Sequence, residues 1–277
     1  MKTLAVLIPT DFSSVSEHVF PILNVLNKNL AVKVHLLHVI EANDAIIAEN
    51  PDLSEAVDLV AFHKKEAYAT QKFNDLKEAG LNFEPHIKIG LLTQEINKAA
   101  EELNADLVIM GTNGSSGFME RISGSEAQHV VRQLNVPVLT VRPGTSINEL
   151  KNILLVADFE HFGKGEQINM IKQIADAFES TIHLLQILKE GDEPYADEIK
   201  EQMKFFAKEH ELTKFETHFY RDKKVADGVR NFNKEAEMDL VCIRTHGRKG
   251  INHFLFGSIA ERLVNHCLKP LLTFHLK

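Results

Sequence analysis

Cysteine is nearly absent from this chain: the 277 residues hold two, Cys242 and Cys267. One falls in an apolar run and the other near a helix end, so both read as small core hydrophobes rather than a redox pair or a zinc site. Long apolar runs are also missing, since none approaches the roughly 20 residues that span a bilayer. The opening Met1–Ile8 stretch meets Pro9 and Asp11 too soon for a secretory signal, and the expected compartment is the cytoplasm. An excess of positive charge is lacking too. A formal net charge of −8 argues against a general nucleic-acid binder, although a local basic patch would survive it. The 14 histidines form no His-x-x-x-His or His-Glu-x-x-His helix pattern, so no metal site is expected. His35 and His183, at equivalent strand positions, read as packed and hydrogen-bonded rather than metal-bound.

What is present is a repeat. Gly111-Thr112-Asn113-Gly114 is followed nine residues later by Gly124-Ser125, and Arg244-Thr245-His246-Gly247 nine residues later by Gly257-Ser258. Each turn follows an apolar strand (Leu107 to Met110; Leu240 to Ile243) and precedes a helical pattern. A glycine turn with Gly-Ser opening a helix offers backbone N–H groups and the positive end of a helix dipole, the parts of a phosphate cradle.

The order of elements repeats as well. Strands are expected at Leu4–Pro9, Val32–Ile40, His86–Ile89, Asp106–Met110 and Val136–Val141. Helices are expected at Ser13–Asn27, Glu55–Ala79, Thr93–Leu103 and Ser125–Leu134. Such alternation implies a parallel sheet covered on both faces. In the second half Asp158 answers Asp11, Ile182 answers Val34, Asp239 answers Asp106 and Leu271 answers Val138. The offset between halves is 147 at Asp11, 148 at Val34 and 133 at Asp106, which leaves about 15 extra residues in the first half between its second and fourth strands. The segment 43–54 is where most of them are expected. Pro143-Gly144-Thr145-Ser146 reads as the linker. The expectation is two similar α/β domains, 1–144 and 149–277, rather than one large sheet.

Asp11, the Gly111-x2-Gly114-x9-Gly124-Ser125 signature and the closing Val136–Val141 strand resemble a universal stress protein domain. Thr245–Gly250 with Gly257-Ser258 resembles the same family, so nearly the whole chain is similar to a tandem of such domains. The resemblance implies two open five-stranded parallel-sheet domains of the adenine nucleotide alpha hydrolase-like class, in a family divided into ATP binders and non-binders. Carried over by position, it places Pro9, Thr10 and Asp11 beside adenosine and the Val39 backbone against adenine. Met110 and Gly111 would line the ribose–phosphate wall, with Gly114, Gly124, Ser125, Glu126 and Ala127 approaching the phosphates. Asp11 has a second reading as a helix cap, and Ser125 could serve as both cap and phosphate donor. The Glu126 side chain, unwelcome beside phosphates, would point away. The resemblance also implies pairing of the two halves through their last strands, Val138–Arg142 against Leu271–His275, with a homodimer of whole chains left open.

In the second half Arg244 stands where the first has Gly111, and Lys223 stands near the counterpart of Gly90. With Arg248 and Lys249 these residues make either a basic anion site or, the favoured reading, a degenerate pocket filled by Arg244. Whether Arg244, Gly247, Gly257 and Ser258 hold a ligand stays open. The leading function is a stress-response or regulatory protein holding ATP, ADP or AMP in its N-terminal domain, with Mg2+ as an optional companion and a protein partner yet to be found. Two alternatives remain: a scaffold without nucleotide, and weak ATP hydrolysis or autophosphorylation on Ser115, Ser116, Ser123 or Ser125. No Walker lysine follows the glycines and no general base stands out, so enzyme status is the lesser reading.

Overall fold

The computed structural model describes residues 3–41, 59–112, 130, 133–145, 147–159, 168–189, 195–245 and 253–275. In the first half β1 (Leu4–Pro9) leads through α1 (Ser14–Glu17) and α2 (Phe20–Leu26) to β2 (Val32–Glu41). Then come α3 (Leu59–Glu78), β3 (Glu84–Gly90), α4 (Leu92–Glu102), β4 (Leu107–Gly111) and β5 (Val138–Val141). The second half runs β6 (Asn152–Val156), α5 (Asn169–Phe178), β7 (Thr181–Leu188), α6 (Ala196–Glu209), β8 (Phe215–Arg221), α7 (Val225–Ala236), β9 (Leu240–Thr245), α8 (His253–His266) and β10 (Leu271–His275).

The ten strands form one sheet in the order β3-β2-β1-β4-β5-β10-β9-β6-β7-β8. Every pairing is parallel except β5 with β10, which is antiparallel with Thr140 opposite Leu271 and Leu139 opposite Leu272. The expected pairing through the last strands is therefore present. The two similar α/β halves stand as expected, and only the expectation that they share no sheet is corrected, because the last strand of each half supplies the partner that the other's open edge lacks.

Alternation along each strand divides the core into two layers. One layer holds Leu4, Val6 and Ile8 with Ile22 and Leu26 of α2 and Phe73 of α3, and continues in the second half through Ile174 of α5 and Met203 of α6. The other holds Leu7 and Leu37 with Ile96 of α4, and continues through Val229 of α7 and Leu263 of α8. Both layers cross the β5–β10 junction without a break. An aspartate anchors each half at the same place: Ala5 N–H donates to Asp106 at 3.0 Å, and Lys151 and Asn152 N–H both donate to Asp239 at 2.8 Å.

The single helix expected over Ser13–Asn27 is two. Pro21, in the first turn of α2, has no N–H to give and its ring would strike the carbonyl four residues back, so the helix restarts at Phe20. The linker closes as a turn, with Gly144 at φ +79° and Thr145 N–H donating to the Arg142 carbonyl at 3.2 Å. The length difference between halves lies between β2 and β3, since His35 answers His183 while Glu84 answers Glu216. The segment 43–54 itself is outside the described residues.

Candidate functional site

Strands β1, β2 and β3 progress outward from the middle of the first half, whereas β4 and β5 progress the other way. The reversal falls between β1 and β4, and an open sheet leaves a crevice beyond the carboxyl ends of two such strands. Pro9, Thr10 and Asp11 end β1, while Met110, Gly111 and Thr112 end β4 beside them.

The β1 end is tightly bonded. Phe12 has φ +60°, and its N–H donates to Thr10 Oγ1 at 3.0 Å. Asp11 Oδ1 accepts from Ser13 N–H at 3.0 Å and from Ser13 Oγ at 2.6 Å, which folds the chain back toward α1. Ser13 then caps α1, accepting from Ser16 N–H. Thr10 Oγ1 and Ser16 Oγ lie 3.0 Å apart, both buried. His38 Nδ1 donates to the Thr10 carbonyl at 2.9 Å, and its ring lies 4.7 Å from that of Phe12.

Gly111 meets α1 at very close range: a Cβ there would sit 2.0 Å from the Val15 carbonyl oxygen. Met110 is buried in the layer with Leu37 and Ile96. Thr112 is fully buried, its N–H donates to the Val141 carbonyl at 2.9 Å, and its hydroxyl has no partner among the described residues. Val39 lies two residues past Leu37, the last β2 residue paired with β1. The Leu37 carbonyl accepts from Thr10 N–H, so strand alternation turns the Val39 backbone toward the same side, beyond the last paired residue of β1. Gly114, Gly124, Ser125, Glu126 and Ala127 lie outside the described residues, as do Gly247, Arg248 and Lys249.

In the second half the same crevice would fall between β6 and β9, flanked by Asp158 and Arg244. There Gln186 replaces His38, and its Oε1 accepts from Phe159 N–H at 3.1 Å. The Gly-Ser pair expected to open a helix does not do so here. Helix α8 begins at His253, so Gly257 and Ser258 lie past the first four residues, whose N–H groups are the ones left without helical partners. Register also moves the counterpart of Gly90 from Lys223 to Asp222, since Ile40 pairs with Ile89 and Leu188 with Arg221.

Sequence reading passed over Thr112, Ser16 and His38 at the first crevice. It also passed over two three-residue groups, His35–Glu84–His86 and His183–Glu216–His218, whose ligand-type atoms all lie within 4.8 Å of one another. The usable signal was Glu-x-His at the start of the third strand of each half, where alternation puts both side chains on one face. No helix among the described residues is long and apolar enough to cross a membrane.

The universal stress protein family model matches residues 4–142 and again 149–275. Universal stress protein MJ0577 of Methanocaldococcus jannaschii is 27% identical over 151 residues, covering 50% of this chain and 93% of the relative. Universal stress protein G of Escherichia coli O157:H7 is 29% identical over 114 residues, covering 39% and 77%. A universal stress protein structure from Archaeoglobus fulgidus DSM 4304 aligns over 98% of both chains with a TM-score of 0.70 at 20% identity. A second from Pseudomonas aeruginosa UCBPP-PA14 covers 99% of this chain and 93% of its own, with a TM-score of 0.59 at 16% identity. At those identities the two structures speak for the fold.

Proposed function

The chain belongs to the universal stress protein family, as two copies of its domain in tandem, and from that premise we propose that it is a stress-response protein holding one adenine nucleotide in its first half. What supports this reading is that Thr10, Asp11 and Thr112 follow adjacent strand ends at the β1/β4 reversal, with Val39 on neighbouring β2 beyond the last paired residue of β1. The Val39 backbone supplies an N–H and a carbonyl at the edge where an adenine ring can pair. Asp11 keeps acceptor capacity for a ribose hydroxyl beyond its bonds to Ser13. The Thr112 hydroxyl, buried and without a partner among the described residues, has a reason to be there if a ligand completes it. Phosphates would then lie toward Gly114, Gly124 and Ser125, whose spacing fits a cradle.

The second half supports one site rather than two. Arg244 replaces Gly111, and Gly257-Ser258 falls inside α8. A nucleotide held at the crevice would change the surface offered to a partner there, which is regulation without turnover.

Mass spectrometry of nucleotide released by denaturing the purified protein tests this, beside a Gly114→Val, Gly124→Val variant and an ATP titration. Near one adenine nucleotide per chain, lost in the variant, is the expected result. Two per chain would show that the Arg244 half binds as well. No release and no saturation at millimolar ATP would leave a scaffold.

A further inference from the structure

Beyond the crevice, each half carries the same three side chains near the amino end of its outer strand pair. His35 on β2 faces Glu84 and His86 on β3, and His183 on β7 faces Glu216 and His218 on β8. In the second group His183 Nδ1 lies 2.9 Å from His218 Nε2 and 3.6 Å from Glu216 Oε2, while His218 Nε2 lies 3.5 Å from that same oxygen. In the first, His35 Nδ1 lies 3.0 Å from His86 Nε2 and 3.3 Å from Glu84 Oε2. Tetrahedral zinc with bonds of about 2.0–2.1 Å sets its ligand atoms about 3.3 Å apart. The triangle at His183–Glu216–His218 already has nearly those edges.

We propose that the His183–Glu216–His218 triangle is a binding site for a divalent first-row transition metal of the zinc type, and that His35–Glu84–His86 is a weaker copy of it. Two imidazoles and one carboxylate suit such an ion, with a fourth position left to water on the exposed side, where Glu216 is open to solvent.

Two differences rank the copies. His183 Nε2 donates to Asn152 Oδ1 at 3.2 Å, which fixes the tautomer that leaves the Nδ1 lone pair facing the triangle. In the first half Ala5 stands at the position of Asn152 and offers no acceptor. Lys33 Nζ also sits 2.9 Å from Glu84 Oε1, a cation already paired with the carboxylate the metal would need. Its counterpart in the second half is Thr181. Without metal, His218 Nε2–H donates to His183 Nδ1. Binding requires only that His218 carry its proton on Nδ1 instead.

The test titrates untagged full-length protein, stripped with EDTA, with Zn2+ against a chromophoric chelator, beside Glu216→Gln, His218→Gln and Glu84→Gln. Expected is one equivalent of Zn2+ held at micromolar affinity or tighter. Glu216→Gln or His218→Gln should weaken it at least tenfold, while Glu84→Gln affects only a looser second equivalent. Glu216 is exposed, so its variant should keep the thermal midpoint of the metal-free protein and separate lost ligation from lost fold. Zn2+ binding unchanged in Glu216→Gln and His218→Gln, or no binding below about 100 µM, would overturn the proposal.

Discussion

Gly111 and Val15 are in a contact that only glycine permits, because a Cβ at position 111 would lie 2.0 Å from the Val15 carbonyl oxygen and 2.7 Å from its carbon. The opposing atoms are backbone, held by the Ser13 cap, and cannot swing aside. This glycine of the signature therefore has a folding role of its own, seating α1 against the end of β4. Gly111→Ala should lose about 2–4 kcal/mol of stability, whereas volume-conserving Met110→Leu should lose under about 1.5 kcal/mol. Urea unfolding in nucleotide-free buffer reads both, and an undiminished Gly111→Ala protein would show that the contact relaxes freely.

A symmetric pair of threonines clasps the antiparallel junction. Thr140 Oγ1 donates to the Leu271 carbonyl at 3.3 Å and Thr273 Oγ1 to the Val138 carbonyl at 3.1 Å, both buried. Replacing either with valine should cost about 1 kcal/mol. Near-equal shifts in unfolding midpoint are expected, and a large inequality would show that the clasp is asymmetric in solution.

Stability should fall on mild acidification. Burial lowers the pKa of His35, His86, His183 and His218, and for His183 the adjacent His218 lowers it further. Glu84, Glu216 and Asp239 nearby oppose the shift without reversing it. The unfolded chain thus binds protons more readily than the native one. The stabilisation is complete above pH 6.5, the unfolded value, and is lost as pH falls through the native values below it. Thermal midpoints in metal-free buffer should drop between pH 7.5 and 5, and less so in a His183→Asn, His218→Gln double variant. A flat profile would remove the argument.

The thiols should be silent. Cys242 and Cys267 are buried, and desolvation pushes both above the ordinary thiol pKa, Cys242 well above it. A thiol-reactive disulfide dye should label neither in native protein and both in urea. Rapid native labelling of either would mean that its layer opens readily.

The strands and their repeat were legible because apolar runs such as Leu4–Pro9 announce buried parallel strands wherever they pack. The break before α2 was legible in principle, since Pro21 was in view, but the helical spacing of Val15, Val19 and Leu23 concealed it. The crevice could be located from Asp11 and Gly111 in their strand-end settings, whereas the Thr112 hydroxyl, without a partner among the described residues, emerges only from burial. Other features need the register. Glu95 lies against Gly90, where a Cβ would come within 3.0 Å of its Cγ, and in the second half Asp222 lies against Gly228 at 3.0 Å. Bulk and space have changed places between strand end and helix, and neither sequence half shows this alone. The His–Glu–His triangles needed the register likewise, because Glu-x-His lies on one strand while its facing histidine lies on the strand before it, 51 and 35 residues from the second histidine.

The β5–β10 seam has a consequence for how the two halves can change over time. Two separate subunits meeting there would dissociate on dilution, but the short tether after Arg142 keeps each half at an effective concentration on the order of millimolar to the other. A pair of identical subunits would also have to accept every substitution twice, once on each side of the twofold axis. Fusion lifts that restriction. Arg244 can replace Gly111, and Asn152 can replace Ala5, in one half while the other keeps its chemistry and both keep the common sheet.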